Sequence, residues 1–234
     1  MRQRTVVILS VSIAAVLALG ATAAIAGPAF YRDVIVGEQP AAPTIAPPSA
    51  AAAPAAGVVR DGLDGAWSVA HGSFAGYRVD EVLNGTDVTV VGRTESVSGA
   101  LEVDGLTLTA ATIEVDVASI ATDSGSRDDY FRQNALRTAQ FPTATFVLTE
   151  PVTAPAAPAA GDEATLTASG ELTIAGVTRP VSVELDAAFD GDGGQVVGSI
   201  PIVFADFGVE APSLGFVSVE PEGFVEFSLV IRPA

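Results

Sequence analysis

Few of the side chains that usually do chemistry occur in this sequence. Cysteine and lysine are absent, and His71 is the single histidine. Thiolate nucleophiles, Schiff-base lysines and cysteine-ligated zinc are therefore excluded. A lone imidazole needs a second group to orient it, and no Ser-x-Gly elbow accompanies His71. We expect His71 to lie on the surface or at a strand end, and we predict no catalytic site, no metal site and no cofactor.

Carboxylates are the remaining reactive groups, and they give the chain a formal net charge of −17. A surface this acidic repels phosphate backbones, which excludes nucleic acid as a partner. Paired carboxylates could in principle hydrolyse a bond, but acids that alternate with apolar residues along a strand point toward water. The acidic run at 190–194 lacks the remaining ligands of a calcium loop, so it predicts a hairpin turn.

The elements that must position these groups begin with an apolar N-terminus. Arg2 and Arg4 precede a stretch from Thr5 to Tyr31 without charged residues. This length suffices to cross a bilayer, and the positive flank predicts that the rest of the chain lies outside. A signal peptide cleaved after Ala26 is the alternative. Residues 1–36 are therefore predicted to be a transmembrane anchor or signal sequence, and both readings place the remainder beyond the cytoplasmic membrane.

Residues 37–61 are rich in proline and alanine, which predicts an extended, semi-rigid spacer between membrane and domain. Residues 62–234 then form one domain. Its apolar residues alternate with polar ones at 113–117, 181–186 and 225–229, with turn signals at Asn84-Gly85 and Asp104-Gly105. Short strands with polar turns indicate an antiparallel sandwich or barrel. A single helix is predicted at 126–136, capped by Ser126 and ended before Pro142.

A closed sheet would turn the apolar face of each strand inward, and about eight strands leave an interior that is either filled or open to one ligand. Phe204, Phe207, Phe216 and Phe224 could line it or form core. The other candidate lining residues are mostly long and aliphatic: Val115, Val117, Phe146, Leu148, Val183, Leu185, Phe227 and Leu229. The alternating pattern alone is compatible with both a solid core and a ligand cavity.

Five stretches, in order, resemble the YceI-like family of lipocalin-like barrels that bind polyisoprenoids or related amphiphiles. Order and spacing agree over residues 66–232. The matching stretches are WSV at 67–69 with GYRV at 76–79; VGRT at 91–94 with VSG at 97–99; SIATD at 119–123 with RD at 127–128 and FPTATF at 141–146; GELTIAGVTRPV at 170–181; and DFGV at 206–209.

The resemblance implies an all-β, eight-stranded antiparallel barrel with one short helix and an apolar tunnel that holds an isoprenoid tail. Tyr77, Arg78 and Arg127 are then candidate groups at the mouth of the tunnel. Arg78 could equally pair with a neighbouring acid, and Arg127 and Asp128 could serve the structure alone. The sequence departs from the commoner pattern around His71, in the insertion after Pro151 and at Asp129-Tyr130.

The expected function is binding of a quinone-type or polyprenol-type lipid outside the cytoplasm, for storage or transport, with the membrane as a partner through the N-terminal helix. The expected ligand is the bound lipid itself, without another cofactor. A filled barrel that serves as a structural or stress-related interaction domain is the alternative, and a homodimer is left open.

Overall fold

The computed structural model describes residues 39–45, 63–83, 85–213, 215 and 217–234. The predicted anchor at 1–36 and most of the predicted linker lie outside these residues. Within the described ranges, no helix combines the length and the apolar character needed to cross a membrane.

Strands dominate the described residues, as the alternating pattern predicts. They are β1 (Gly65–Leu83), β2 (Thr86–Thr94), β3 (Val97–Asp104), β4 (Thr107–Asp116), β5 (Thr143–Leu148), β6 (Val152–Thr153), β7 (Glu163–Ile174), β8 (Val177–Phe189), β9 (Gly194–Val203), β10 (Val217–Val219) and β11 (Glu222–Pro233).

Eight of these strands form a closed antiparallel barrel in the order β1-β11-β9-β8-β7-β5-β4-β3. Closure depends on β1, whose first residues pair with β3 between Gly65 and Ser68 while its other edge pairs with β11. The second half of β1 pairs with β2 and with the short β10, and β6 extends the edge of β4. The predicted barrel is confirmed, and the sandwich alternative is wrong.

Turn residues connect the strands as expected. Gly105 has a φ of 60° between β3 and β4, at the predicted Asp104-Gly105 turn. Ala175 and Gly176, with φ values of 50° and 79°, form the two-residue connection between β7 and β8. Positive φ at both central residues gives a hairpin turn the twist of its strands. The acidic run after β8 also forms a turn, in which Asp190 Oδ1 accepts from the backbone N–H of Gly193 at 2.8 Å.

One helical segment interrupts the strands. Helix α1 (Gly125–Tyr130) continues as a π-helical turn (Phe131–Ala135), close to the predicted 126–136. The prediction of Ser126 as the cap is wrong, since Ser124 occupies the position before the helix and makes no side-chain capping bond. Two 3₁₀ turns, Val117–Ser119 and Phe204–Phe207, follow β4 and β9.

The described part of the predicted linker lies against the barrel wall. Pro40 and Ala41 accept hydrogen bonds through their carbonyl oxygens from Arg78 Nη2 at 2.7 Å and Arg93 Nη2 at 2.6 Å. The side chain of Gln39 accepts from the Val91 N–H at 3.3 Å. Residues 39–45 are extended, as the prolines predict, but arginine side chains on β1 and β2 hold them against the domain.

Candidate functional site: the barrel interior

The barrel encloses a cavity of about 780 Å³. Its wall is formed by the inward-facing side chains of the strands, with Tyr130, Phe131 and Leu136 from the helical segment and Phe204 and Phe207 from the turn after β9. Most of these side chains are aliphatic or aromatic, because alternate residues of each strand carry the apolar set to one face. The interior is therefore open over a substantial volume and has an apolar lining.

Ten of the eleven residues predicted to contact a ligand line this cavity. Val117 does so from a 3₁₀ turn rather than from a strand. The ten residues are Tyr77, Val115, Val117, Arg127, Phe146, Leu148, Val183, Leu185, Phe227 and Leu229.

Arg78 is the predicted residue that does not line the cavity. Tyr77, Val79 and Glu81 of β1 face the interior, and Arg78 between them faces the outside. There its Nε donates to Glu226 Oε1 at 2.5 Å. The structure thus places Arg78 as the partner of an acid, but that acid is Glu226 on β11 rather than an acid next to Arg78 in the sequence.

The two ends of the cavity differ in polarity. The charged lining residues among those described are Glu81, Arg127 and Glu210. Glu81 pairs with Val219 of β10, at the end of β1 that is remote from Trp67. We call this end the polar end. The opposite end, here the apolar end, is lined by aliphatic side chains: Leu63, Leu101, Val103, Leu106, Leu108 and Val152.

An ion-pair cluster forms the polar end. Arg127 Nη2 donates to Glu81 Oε1 at 3.1 Å, and Nη1 donates to Asp123 Oδ1 at 2.5 Å. The Glu81 side chain is only 6% exposed, so this pair is nearly shielded from water. Burial tends to lower the pKa of the Arg127 guanidinium, but the charges of Glu81 and Asp123 outweigh burial and raise that pKa above its ordinary value. Arg127 therefore stays charged.

Tyr77 lies beside this cluster. Its ring stacks on Phe131 with centroids 5.0 Å apart and an interplanar angle of 16°. Gly92 on β2 makes room for the ring, because a Cβ at that position would lie 2.5 Å from Tyr77 Cε1. Burial raises the pKa of the Tyr77 hydroxyl, nearby carboxylates raise it further, and Arg127 opposes them. The hydroxyl is therefore neutral at ordinary pH, and it makes no hydrogen bond with a described residue.

The sequence carries a signal for Glu81, which is not among the predicted site residues. Glu81 lies four residues after Tyr77 on one strand, so both side chains must face the same side of the sheet. Extending the inward face of β1 by period two reaches Glu81 directly.

An ionic cluster outside the barrel was also missed. Glu226 is 2% exposed on the outer face of β11, where Arg78 and Arg93 both reach it. The Arg93 guanidinium also lies 4.5 Å from the centre of the Phe74 ring. Since the chain segment 39–41 covers these arginines, the burial of Glu226 results from tertiary packing that no local pattern records.

The remaining candidates lie apart from the cavity or contribute only apolar surface. His71 is exposed on β1, as expected. Phe204 and Phe207 line the cavity, Phe224 is 43% exposed on the outer wall, and Phe216 lies outside the described residues. Among the described residues, no group of histidine, aspartate or glutamate side chains is arranged to hold a metal ion.

The fold and the cavity define the class of this protein: it is a closed antiparallel barrel with an apolar interior and one polar end. The family comparison gives the more specific assignment: the family model described as the YceI-like domain matches residues 67–231, which is more than half of the chain. The chain therefore belongs to the YceI-like domain family. The resemblance seen in the sequence is confirmed over nearly the whole predicted domain.

Relatives and solved structures agree with this assignment. A UPF0312 protein of Shewanella sp. (strain MR-4) is 32% identical over 152 residues, covering 61% of this chain and 73% of its own length. A polyisoprenoid binding domain from Saccharophagus degradans, implicated in plant cell wall breakdown, has the same fold with a TM-score of 0.58 at 20% identity, covering 72% of this chain and 98% of that one. Burkholderia cenocepacia BcnA matches with a TM-score of 0.51 at 25% identity, covering 66% and 95%.

Proposed function

We propose that this protein binds one long apolar isoprenoid or amphiphilic lipid, of the quinone or polyprenol type, in the barrel interior and performs no reaction on it. The observation that carries the proposal is the cavity of about 780 Å³ with its apolar lining. Small-molecule sites have volumes of roughly 300–1,000 Å³ and are lined mainly by apolar groups with a few polar ones. The cavity meets both conditions.

The shape of the lining favours a chain with one polar head. Aliphatic side chains line the apolar end, and the charged lining residues lie at the polar end. Each methylene that leaves water contributes about 0.8 kcal/mol, so a few isoprene units would offset the cost of ordering the chain. The Saccharophagus degradans domain with the same fold is described as polyisoprenoid binding, which supports this class of ligand.

We also propose that binding takes place beyond the cytoplasmic membrane, where the protein stores or transports the lipid. This part rests on Arg2, Arg4 and the uncharged stretch that follows them. Either an anchored or a cleaved N-terminus would place the barrel beyond the cytoplasmic membrane, and an anchored one would also hold it next to the membrane that stores such lipids.

The filled-barrel alternative requires side chains to occupy the interior, and the size of the cavity argues against it. Hydrolysis would require two free inward carboxylates. Glu81 and Glu210 face the cavity, but Glu81 is held in an ion pair with Arg127 at 3.1 Å. The geometry therefore supports binding better than either alternative.

Lipid extraction tests the proposal with a matched pair of variants. Ala168 lies on β7, is 3% exposed and lines the cavity, whereas its neighbour Thr167 is exposed on the outside. We expect the purified full-length chain to yield an isoprenoid lipid on organic extraction and mass spectrometry. Ala168→Trp places an indole ring inside the cavity, where it obstructs an extended chain, and should lose most of that lipid, because area and volume inside the barrel are what hold it.

Thr167→Trp adds the same side chain to the outer wall and should keep the lipid. This control removes the contribution of membrane lipid that merely adheres to the preparation. Equal lipid content in the wild type and both variants, together with no uptake of added ubiquinone or polyprenol by the wild type, would contradict the proposal.

A further inference from the structure

The polar end carries more negative than positive charge. Glu81 and Glu210 line it together with the single arginine, Arg127, and Asp123 approaches Arg127 from the other side. Arg127 is thus already paired with two carboxylates, at 3.1 Å and 2.5 Å. A guanidinium with two carboxylate partners has little positive charge left to offer a further anion.

The charged groups around the Tyr77 hydroxyl also disfavour an anion. The charges that act on this hydroxyl are those of Asp128, Glu81 and Asp123, opposed by Arg127 alone. A phosphate or carboxylate brought to this position would approach Glu81 and Asp123, and the guanidinium of Arg127 is already paired with both of them.

A neutral oxygen meets a different environment. The Tyr77 hydroxyl is a donor that no described residue uses, and burial keeps it protonated. A carbonyl, hydroxyl or ether oxygen could accept from it without bringing charge into the cavity. Such an oxygen would accept a hydrogen bond from the Tyr77 hydroxyl inside an apolar cavity.

We infer that the barrel selects isoprenoids with a neutral, oxygen-bearing headgroup and rejects their phosphorylated counterparts, with Glu81 as the residue that determines this selectivity. The inference rests on the proposed function and specifies the ligand of the same cavity. Glu81 acts by occupying Arg127, so that the arginine cannot receive an anionic headgroup.

A competition between two probes with the same chain tests this. The full-length protein is incubated with equimolar geranylgeraniol and geranylgeranyl monophosphate, and native mass spectrometry measures the ratio of the two complexes. We expect the wild type to prefer the alcohol by at least about tenfold, since like charges in a desolvated site suppress the wrong partner. Glu81→Gln leaves Arg127 with one carboxylate partner, Asp123, instead of two, and should move the ratio toward the monophosphate by about tenfold.

Asp80→Asn provides the matched control. Asp80 is the neighbour of Glu81, is exposed on the outer face and accepts from Thr89 Oγ1 at 2.6 Å. The substitution removes the same charge from the protein but not from the cavity, so the ratio should stay within about twofold of the wild type. Asp123→Asn serves as a second variant, because it also removes one of the two carboxylate partners of Arg127 and should shift the ratio in the same direction as Glu81→Gln.

Equal or preferential binding of the monophosphate by the wild type would overturn the inference. So would equal shifts by Glu81→Gln and Asp80→Asn, since net charge alone would then explain the result. The proposed function fails in a distinguishable way: neither probe would bind the wild type, and Ala168→Trp would make no difference.

Discussion

Arg78 and Glu226 form a largely buried ion pair on the outer wall of the barrel, with Arg78 Nε 2.5 Å from Glu226 Oε1. Glu226 is 2% exposed, and its second oxygen lies 3.4 Å from Arg93 Nη2. The pair joins neighbouring strands, since Arg78 lies on β1 and Glu226 on β11, and these two strands pair directly. It also orients Arg78 so that its Nη2 reaches the carbonyl of Pro40.

Arg78→Gln should therefore lower stability without affecting the cavity. Removing one partner of a buried ion pair costs ~3–5 kcal/mol when the other is left alone. Because Arg93 still contacts Glu226, we expect a loss of about 2 kcal/mol in the free energy of unfolding, measured in urea. The lipid content should equal that of the wild type, since the side chain faces away from the interior.

Arg232→Gln is the control for this change. Arg232 pairs with Asp190 at 2.8 Å, but these side chains are 39% and 50% exposed, so the loss should stay below about 1 kcal/mol. A stable Arg78→Gln variant that has lost its lipid would show that Arg78 serves the ligand instead.

Gly92→Ala, on the strand that pairs with the second half of β1, should displace the Tyr77 ring. The added Cβ would lie 2.5 Å from Tyr77 Cε1 and 3.0 Å from Ile120 Cγ2, so the ring must leave its position on Phe131. Overpacking of this kind costs about 1–3 kcal/mol. We expect a loss in that range in urea unfolding, together with weaker lipid retention.

Two variants define the origin of that loss. Gly125→Ala places a methyl group where no atom lies within 4 Å, at the start of α1, and should be neutral or slightly stabilising. In a Tyr77→Ala background, Gly92→Ala should cost much less than in the wild type, because the ring is gone. An undiminished cost in that background would place the strain elsewhere.

Tyr77 should also make stability fall at high pH. Its folded pKa is raised by burial, whereas the unfolded chain ionises near the ordinary value of about 10. A raised folded pKa gives stability that is complete below the unfolded pKa and is lost as pH rises through the window above it. The free energy of unfolding should decline above about pH 10 in the wild type.

Tyr77→Phe removes this titration, so its stability should decline less steeply over the same window. Urea unfolding at several pH values between 8 and 11 gives, for each protein, the slope of the free energy of unfolding against pH. Parallel slopes in the two proteins would contradict the assignment of the titration to Tyr77.

The inward face of the barrel could be predicted from the sequence because strand periodicity is local. Each apolar residue in an alternating run shares its face with residues two positions away, which is why Val183 and Leu185 were assigned correctly. The same rule shows why Tyr77 and Arg78 could not both be mouth groups, since adjacent strand residues face opposite sides.

The outer cluster and the cavity volume could not be predicted in this way. Glu226 is separated from Arg78 by 148 positions, and its burial depends on side chains from three segments of the chain. Alternation also fails to show whether facing side chains meet in the middle. Whether a cavity remains depends on the diameter of the barrel, and the closure of the eight-stranded sheet sets that diameter.

Asp128 gives a last prediction, on the loop that carries Asp123. Its Oδ1 accepts from the N–H of Thr122 at 2.9 Å and from Thr122 Oγ1 at 2.7 Å, and the residue is buried. Asp128→Ala leaves both donors without this acceptor, which costs about 1–3 kcal/mol. Asp129→Ala removes the same charge one residue later, where the side chain is exposed and pairs with Arg132, and should cost under about 0.5 kcal/mol. Because Asp123 adjoins Thr122, Asp128→Ala should also weaken the ion pair between Asp123 and Arg127 and reduce the preference for geranylgeraniol. Equal effects of Asp128→Ala and Asp129→Ala on stability and selectivity would instead show that only the charge of the helix matters.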